Sequence, residues 1–147
     1  MATKLIGTHS GPFHADDVMA CVLLNMHPQF KDARIERSRD MEVLDSCDIV
    51  VDVGEEFDHE RRRYDHHQRD FSLKMSTISE GKIKSQTKLS SAGLVYWFYG
   101  REIIAEKLKI YENKDKLEWI FISVYWVRLK RYRTLLMIGF LFPEHNQ

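Results

Sequence analysis

The stretch DIVVDVG, residues 48–54, decides the fold. Its β-branched residues Ile49, Val50 and Val51 follow one another without a polar interruption, and Gly54 ends the run. A strand that is buried on both faces of a parallel sheet has this continuous apolar pattern, whereas a half-buried strand alternates. The stretch therefore predicts a central parallel strand that carries an acid, Asp52, at its carboxyl end.

The segments around this strand supply the remaining pattern. Residues 4–8 and 33–39 predict two more strands, and apolar residues at helical spacing predict a helix from about Asp17 to Met26. A short helical turn is predicted to begin at Asp40, and Ser90 is the predicted N-cap of a long helix. Because strands and helices alternate, we expect an α/β fold with a mostly parallel sheet flanked by helices.

The composition of the whole chain excludes several classes of protein. Its 147 residues fit one domain, and 22 basic residues cancel 22 acidic ones, so a nucleic-acid substrate would have to be held locally. Cys21 and Cys47 form no CxxC pair, which argues against a disulfide framework. The N-terminus has no secretory or transit pattern, so we expect an intracellular protein. The apolar runs 119–127 and 134–142 are shorter than the roughly 20 residues of a membrane helix, so no membrane partner is expected.

Histidine and aspartate residues gather at three places, each of which follows or ends a predicted strand. Imidazole nitrogens and carboxylate oxygens are common metal ligands. The carboxyl ends of parallel strands meet at one edge of a sheet, so we expect the three groups to converge there. The residues concerned are His9, His14, Asp16 and Asp17 after the first strand, Asp52 at the end of the central strand, and Asp65, His66 and His67.

Each of these groups also has a purely structural interpretation. Asp16 or Asp17 could be the N-cap of the first helix, and the adjacent His66 and His67 could belong to a solvated turn. Asp52 is different, because an acid inside VVDVG would be desolvated and would need a partner. That requirement favours a functional role for Asp52.

Four blocks of sequence, taken together, carry a resemblance to a known family. They are GTHSGPFHADDVMACVLL (7–24), SCDIVVDVG (46–54), RYDHHQRDF (63–71) and QTKLSSAGLVY (86–96). In this order and spacing they resemble the Myg-type exonucleases, a branch of the DHH phosphoesterase superfamily, over about residues 4–110. The resemblance implies hydrolysis of phosphoric esters with Mn²⁺ or Mg²⁺, two ions being expected. It further implies a 3′-to-5′ exonuclease that acts on single-stranded RNA, or on another phosphodiester, in the nucleus and mitochondrion.

The resemblance also implies roles for individual residues. Two metal ions about 3.5–4 Å apart can share one carboxylate ligand, and Asp52 is the expected bridging ligand. Asp65 is expected to orient a histidine, and His67 to contact the phosphate or protonate the leaving oxygen. Lys88 and Arg63 are expected to bind the substrate through their positive charge. The expected metal ligands are His9, His14, Asp16, Asp52 and His66.

The sequence departs from the family after YEN, residues 111–113. Nothing beyond it resembles the family's fourth block, which carries another metal-binding aspartate, or the second domain that closes over substrate. We therefore expect a metal-binding α/β domain at residues 1–113 and an atypical apolar and basic tail at 114–147 that packs irregularly, as in a truncated or alternatively spliced product. Two hypotheses follow: a metal-dependent phosphodiesterase impaired by truncation, or a non-catalytic interaction fragment that retains a metal-binding core.

Overall fold

The structure is a computed structural model that describes residues 3–129, in which strands and helices alternate from residue 5 to residue 51, followed by two more strands and then by helices. The strands are β1 (Leu5–Thr8), β2 (Arg34–Arg37), β3 (Ile49–Val51), β4 (Phe57–Asp58) and β5 (Arg63–Tyr64). The helices are α1 (Ala15–Met26), α2 (Met41–Asp45), α3 (Met75–Ile78), α4 (Ser91–Leu108) and α5 (Lys114–Val124), and a π-helical turn, Tyr125–Leu129, follows α5. No described helix has the length and apolar character needed to cross a membrane.

The strands form one sheet in the order β2-β1-β3-β5-β4. β1 pairs in parallel with both β2 and β3, and β3 pairs in parallel with β5. Among the five strands of this sheet in residues 3–129, the short β4 alone runs antiparallel to its neighbour, β5. The predicted α/β class is thus confirmed, with the stretch 48–54 supplying the central strand.

Both faces of β3 are covered, which explains its unbroken apolar sequence. Ile49 and Val51 point to the large core that the sheet shares with α1 and α4. Val50 points the other way, into a smaller cluster with Leu44 and Cys47 under α2. A polar side chain at any of these positions would be desolvated, which is why apolar and polar residues do not alternate along this strand.

The segment from residue 68 to 88 has little apolar periodicity in its sequence, yet buried side chains anchor it. Met75 in α3 is fully buried, and Ile83 is buried beyond the helix. An antiparallel bridge between Lys74 and Lys88 ties the part of the segment just before α3 to its end. Isolated anchors of this kind leave no periodic signal, and the sequence therefore does not predict them.

Helix α5 overturns part of what we expected of the chain after Asn113. The Asn113 side chain caps this helix by accepting a hydrogen bond from the Lys116 amide, and the Phe121 side chain is 0% exposed. The Phe121 ring stacks on Tyr96 of α4 with centroids 4.6 Å apart. The prediction of irregular packing is therefore wrong for residues 114–124, and residues 130–147 lie outside the described part of the chain.

Two further contacts hold α5 against α4. Arg101 forms a two-pronged ion pair with Glu118, at 2.7 and 2.8 Å. Gly100 makes the close approach possible, because a Cβ atom there would lie 2.9 Å from the Tyr96 ring and 3.0 Å from the Phe121 ring. The sequence WIFISVYWV thus supplies a packed helix through Phe121.

Replacing Phe121 tests whether α5 belongs to the folded core. Phe121→Ala should lower the free energy of unfolding by about 3–5 kcal/mol, as expected for a buried phenylalanine. Trp119→Ala is a matched control on the same helix, because Trp119 is 70% exposed; its effect should stay within about 0.5 kcal/mol. Denaturant unfolding measures both, and equal effects of the two substitutions would show that α5 does not pack as described.

Candidate metal centre

Asp52 is the first residue after β3 and lies at the carboxyl edge of the sheet. Its backbone adopts a left-handed conformation, with φ 58°, and its amide donates to the Tyr64 carbonyl oxygen at 3.1 Å. Aspartate tolerates this conformation better than most non-glycine residues. The side chain is buried, and the Ser91 hydroxyl donates to its Oδ1 at 3.3 Å. A hydroxyl from α4 therefore helps to fix a carboxylate from the sheet.

Two groups of possible metal ligands meet at Asp52. Within each group the ligand atoms all lie within 4.8 Å of one another, and Asp52 belongs to both. A carboxylate shared in this way has the placement that a bridging ligand needs. The assignment of ligands remains a prediction. The first group is His9, His14 and Asp52, and the second is Asp52, Asp65, His66 and His67.

His9 offers a test of whether the residues fit a cation. Its Nε2 is buried and lies 3.5 Å from Oδ2 of Asp17 and 3.5 Å from Oδ2 of Asp52, but it forms no hydrogen bond with any described residue. A buried nitrogen without a partner is costly. A cation among this nitrogen and the carboxylate oxygens would satisfy all three. The donor set therefore fits a divalent metal ion.

Asp16 is held between α4 and the third block. Its carboxylate accepts hydrogen bonds from the backbone amides of Ser91 and Ala92, at 3.0 and 2.7 Å, at the positively polarised start of α4. His66 Nε2 lies 3.0 Å from its Oδ2. Burial disfavours the charged form, but the hydrogen bonds from His66 and Ala92 outweigh it and lower the pKa of Asp16. Of the five expected metal ligands, Asp16 alone belongs to neither of the two ligand groups that share Asp52.

The neighbouring His66 is strongly biased towards its charged form. Its hydrogen bonds to Asp16 and Asp52, at 3.0 and 3.4 Å, raise the pKa of His66 to about 9. In the metal-free protein an imidazolium thus sits between two carboxylates. It supplies positive charge at the place where a metal ion is expected to do so.

The first helix resolves the choice between Asp16 and Asp17. The N-cap is His14, and Asp17 at the third helical position accepts the His14 amide at 2.7 Å. Neither aspartate is the N-cap, so that interpretation is wrong, although Asp17 does complete the cap. Asp17 thus supports the His14 cap from the third helical position, while Asp16 points to the cluster.

Asp65 holds His67 in place. Its Oδ1 lies 2.6 Å from His67 Nδ1 and accepts the His66 amide at 2.8 Å, while its Oδ2 accepts the Glu55 amide at 2.7 Å. A carboxylate on Nδ1 fixes the tautomer and leaves Nε2 as the nitrogen that can meet a substrate. The ring of His67 is exposed, whereas Asp65 is buried.

The cluster opens into a cavity of about 260 Å³. Besides His9, His14, Asp52, Asp65 and His67, this cavity is lined by Arg39, Val53, Gly54 and Glu55. Arg39 is not among the residues predicted from the sequence, although it follows β2 as the predicted residues follow their own strands. The rule that the carboxyl ends of parallel strands meet at one edge of the sheet also covers residues 38–40.

The two predicted substrate cations have other partners. Arg63 is buried and donates to the Arg61 and Leu44 carbonyl oxygens, at 2.9 and 3.5 Å. It points to the α2 side of the sheet because its neighbour Tyr64 fills the opposite core. Lys88 is exposed, with its Nζ 5.4 Å from the centre of the Phe71 ring. Neither residue lines the cavity, and the start of α4, where Lys88 was expected to assist an anion, holds the Asp16 carboxylate.

Comparison with known proteins gives a family. Residues 5–132 match the family model MYG1_exonuc, which is described as an uncharacterised protein family (UPF0160). The chain belongs to the MYG1 family. The match runs through α5, past the boundary that we predicted at residue 113; the boundary itself remains a prediction.

Relatives from distant organisms share this family. The chain is 50% identical over 125 residues to the human protein named MYG1 exonuclease, covering 85% of this chain and 33% of that protein. It is 58% identical over 106 residues to a MYG1 protein of Caenorhabditis elegans, covering 72% and 31%. For a MYG1 protein of Saccharomyces cerevisiae the identity is 43% over 123 residues, covering 84% and 34%. The chain thus spans about a third of the length of these relatives. No solved structure matches it.

Substitution of the shared carboxylate tests the metal centre. Asp52→Ala should abolish most Mn²⁺ binding, because it removes an oxygen donor from both groups, whereas Asp65→Ala should weaken binding by about 10- to 100-fold, as supporting carboxylates do. Isothermal titration calorimetry measures the affinities, with the exposed Asp32→Ala as a control of equal charge change. Mn²⁺ should also raise the unfolding midpoint of the unaltered chain. Unchanged Mn²⁺ affinity in Asp52→Ala would contradict the site.

Ser91 allows a finer test of how α4 positions the carboxylates. Ser91→Ala removes the hydroxyl that contacts Asp52 but keeps the amide that contacts Asp16. Mn²⁺ affinity should fall by about tenfold, the lower end of the effect of supporting groups, and Ser91→Thr should recover part of it. Electron paramagnetic resonance of bound Mn²⁺ reports the change. An unaltered spectrum and affinity in Ser91→Ala would remove this role.

Proposed function

We propose that this chain carries the metal-binding core of a phosphodiesterase of the DHH type, and that its substrate is single-stranded RNA, shortened from the 3′ end. The observation that carries the proposal is the position of Asp52, which is common to two ligand groups and itself lines an open cavity. The relatives named MYG1 exonuclease support the choice of a nucleic-acid substrate. The family resemblance of the four sequence blocks supports the polarity and the RNA.

The proposed cofactor is Mn²⁺ or Mg²⁺, bound as two ions. His9 and His14 would contribute to one ion, His66 to the other, and Asp52 to both. Asp16 would help to hold an ion only with His66 in its deprotonated form, since the two side chains are hydrogen-bonded to one another in the metal-free chain. When bound, such ions supply Lewis-acid stabilisation to the attacking and leaving oxygens of an in-line displacement.

The Asp65–His67 pair supplies the proton chemistry in this proposal. Asp65 holds the Nδ1 proton, so it is the imidazolium form of His67 that would act as the acid, delivering its second proton from Nε2 to the leaving oxygen and becoming neutral. The buried Asp65 is itself fixed by two backbone amides, which prevents the pair from rotating as a unit. His67 is therefore the proposed catalytic residue, and Asp65 its positioning residue.

Electrostatic attraction of the substrate has to be local, because the formal net charge of the chain is +0. Arg39 is the arginine that lines the cavity, and its planar guanidinium suits a phosphate. We propose it as the phosphate ligand in place of Arg63 and Lys88. We further propose residues 1–113 as the metal-binding unit, with α5 packed on it, and a nuclear and mitochondrial location on the basis of the family resemblance.

Purified chain and a 5′-labelled single-stranded RNA test the activity. With Mn²⁺ the label should move to progressively shorter products, because nucleotides leave from the 3′ end, and a circular RNA should resist. His67→Ala should lower the rate by about 10²- to 10⁴-fold, the usual contribution of a general acid, while its Mn²⁺ affinity falls much less than that of Asp52→Ala. The exposed Asp32→Ala serves as the control.

The outcome separates two classes of function. Shortening of linear RNA that requires Mn²⁺ supports the nuclease. Tight Mn²⁺ binding without hydrolysis of any RNA would contradict it and would support the alternative, a non-catalytic metal-binding core that acts through interactions. Cleavage of circular RNA would retain the phosphodiesterase but overturn the exonuclease assignment.

A further inference from the structure

A second cavity lies beside the metal centre, between α1 and the edge strand β2. Its volume is about 170 Å³. Pockets for drug-sized ligands typically measure roughly 300–1,000 Å³, so this one admits a small group, of the size of a single heterocycle. Its walls include the aliphatic side chains of Val18 and Val22 from α1 and of Ile35 from β2.

This cavity is continuous in sequence and in space with the metal centre. Its residues Thr8 and Phe13 immediately precede His9 and His14, so each pair of Cα atoms is about 3.8 Å apart. Asp17 contributes to the cavity, and its Oδ2 lies 3.5 Å from His9 Nε2. A ligand with a phosphate at the metal centre and a ring one sugar away could therefore reach both places.

Phe13 forms an aromatic platform at the mouth of the cavity. Its side chain is 69% exposed, although the residue is next to a candidate metal ligand. The Arg37 guanidinium carbon lies 3.9 Å from the centre of the ring and covers one face. Arg37 is itself fixed by a 2.8 Å hydrogen bond to the Gly11 carbonyl oxygen. An exposed aromatic ring supported in this way resembles the surfaces on which nucleobases stack.

Two buried polar atoms of residues that line the cavity have no hydrogen-bond partner within residues 3–129. They are Oγ1 of Thr8, a residue only 2% exposed, and Nε of Arg37. Leaving such atoms unsatisfied costs free energy. Both atoms are closed off from water, so a small shift of the cavity wall is needed to bring them to its surface, where the polar edge of a heterocycle would satisfy them and an apolar ligand would not. Apolar walls, an aromatic platform and unsatisfied polar atoms together match the chemistry of a nucleobase.

We propose that this cavity binds the nucleobase of the nucleotide whose phosphate lies at the metal centre. The inference rests on the proposed function and specifies it, because it assigns the base of the substrate to α1 and β2. A base that enters the cavity cannot remain paired in a duplex. The pocket would thereby select single-stranded or frayed ends.

Equilibrium binding tests the pocket without requiring turnover. Calorimetric titrations of the Mn²⁺-loaded chain with uridine and adenosine monophosphates are compared with ribose 5-phosphate, which has the same phosphate and sugar but no base. The nucleotides should bind about tenfold or more tightly than ribose 5-phosphate, from the usual contribution of stacking. Phe13→Ala and Thr8→Val should each reduce this preference, Phe13→Trp should keep it, and the distant Trp119→Ala should leave it unaltered.

A second measurement excludes a merely structural role for Thr8. Since its hydroxyl has no partner in the described protein, Thr8→Val should leave the unfolding midpoint of the metal-free chain unchanged or raise it. A lower midpoint together with a normal nucleotide preference would assign Thr8 to the fold and overturn its role as a ligand. Mn²⁺ affinity, measured in parallel, shows whether the neighbouring His9 has moved.

The results distinguish failure of the pocket from failure of the nuclease. Equal affinity for nucleotides and ribose 5-phosphate, or a preference that survives both Phe13→Ala and Thr8→Val, overturns the pocket even when RNA is hydrolysed. A base preference that both variants lose supports the pocket even when no RNA is hydrolysed, and in that case the nuclease alone fails.

Discussion

Asp52 combines two unfavourable conditions: its carboxylate is buried at the end of the central strand, and its backbone has a left-handed φ. Three separate parts of the chain offset these costs. The Tyr64 carbonyl oxygen on β5 accepts a hydrogen bond from the Asp52 amide, the Ser91 hydroxyl on α4 donates one to the Asp52 carboxylate, and His66 supplies a positive charge beside it. The position of β5, the start of α4 and the third histidine block are thus all tied to one carboxylate.

The N-terminus of α4 binds a carboxylate of the same chain. Helix N-termini often bind an anion from outside the protein, but here the backbone amides of Ser91 and Ala92 bind Asp16 from α1. The two helices that pack against one another are therefore also joined through a charge. The two adjacent serines at this helix start have separate roles. The Ser90 hydroxyl accepts a hydrogen bond from the Gly93 amide and caps the helix, whereas the Ser91 hydroxyl donates to the Asp52 carboxylate.

The central strand and the converging edge were predictable because each depends on a simple rule. Continuous β-branched residues indicate burial on both faces, and parallel strands place their carboxyl ends together. The direction in which the Arg63 side chain points was not predictable. β5 has only two residues, and so short a strand has no alternating pattern that tells which side chain faces the site. The burial of Phe121 was not predictable, because every neighbour in its apolar run is an equally good candidate for the core. Asn113 marks the predicted end of the metal-binding domain, whereas in the structure it is the N-cap of α5.

The parallel order of the sheet has a consequence for how the protein folds. Ile6 pairs with Ile49, so β1 and β3 meet only after a long intervening stretch, α1 and β2 included, has been brought into place. Such non-local pairing slows folding, because loop closure costs entropy before any contact rewards it. The candidate ligands, from His9 to His67, come together only when β1, β3 and β5 are in register. A divalent ion would therefore bind late on the folding pathway and would lock the completed sheet rather than guide its assembly.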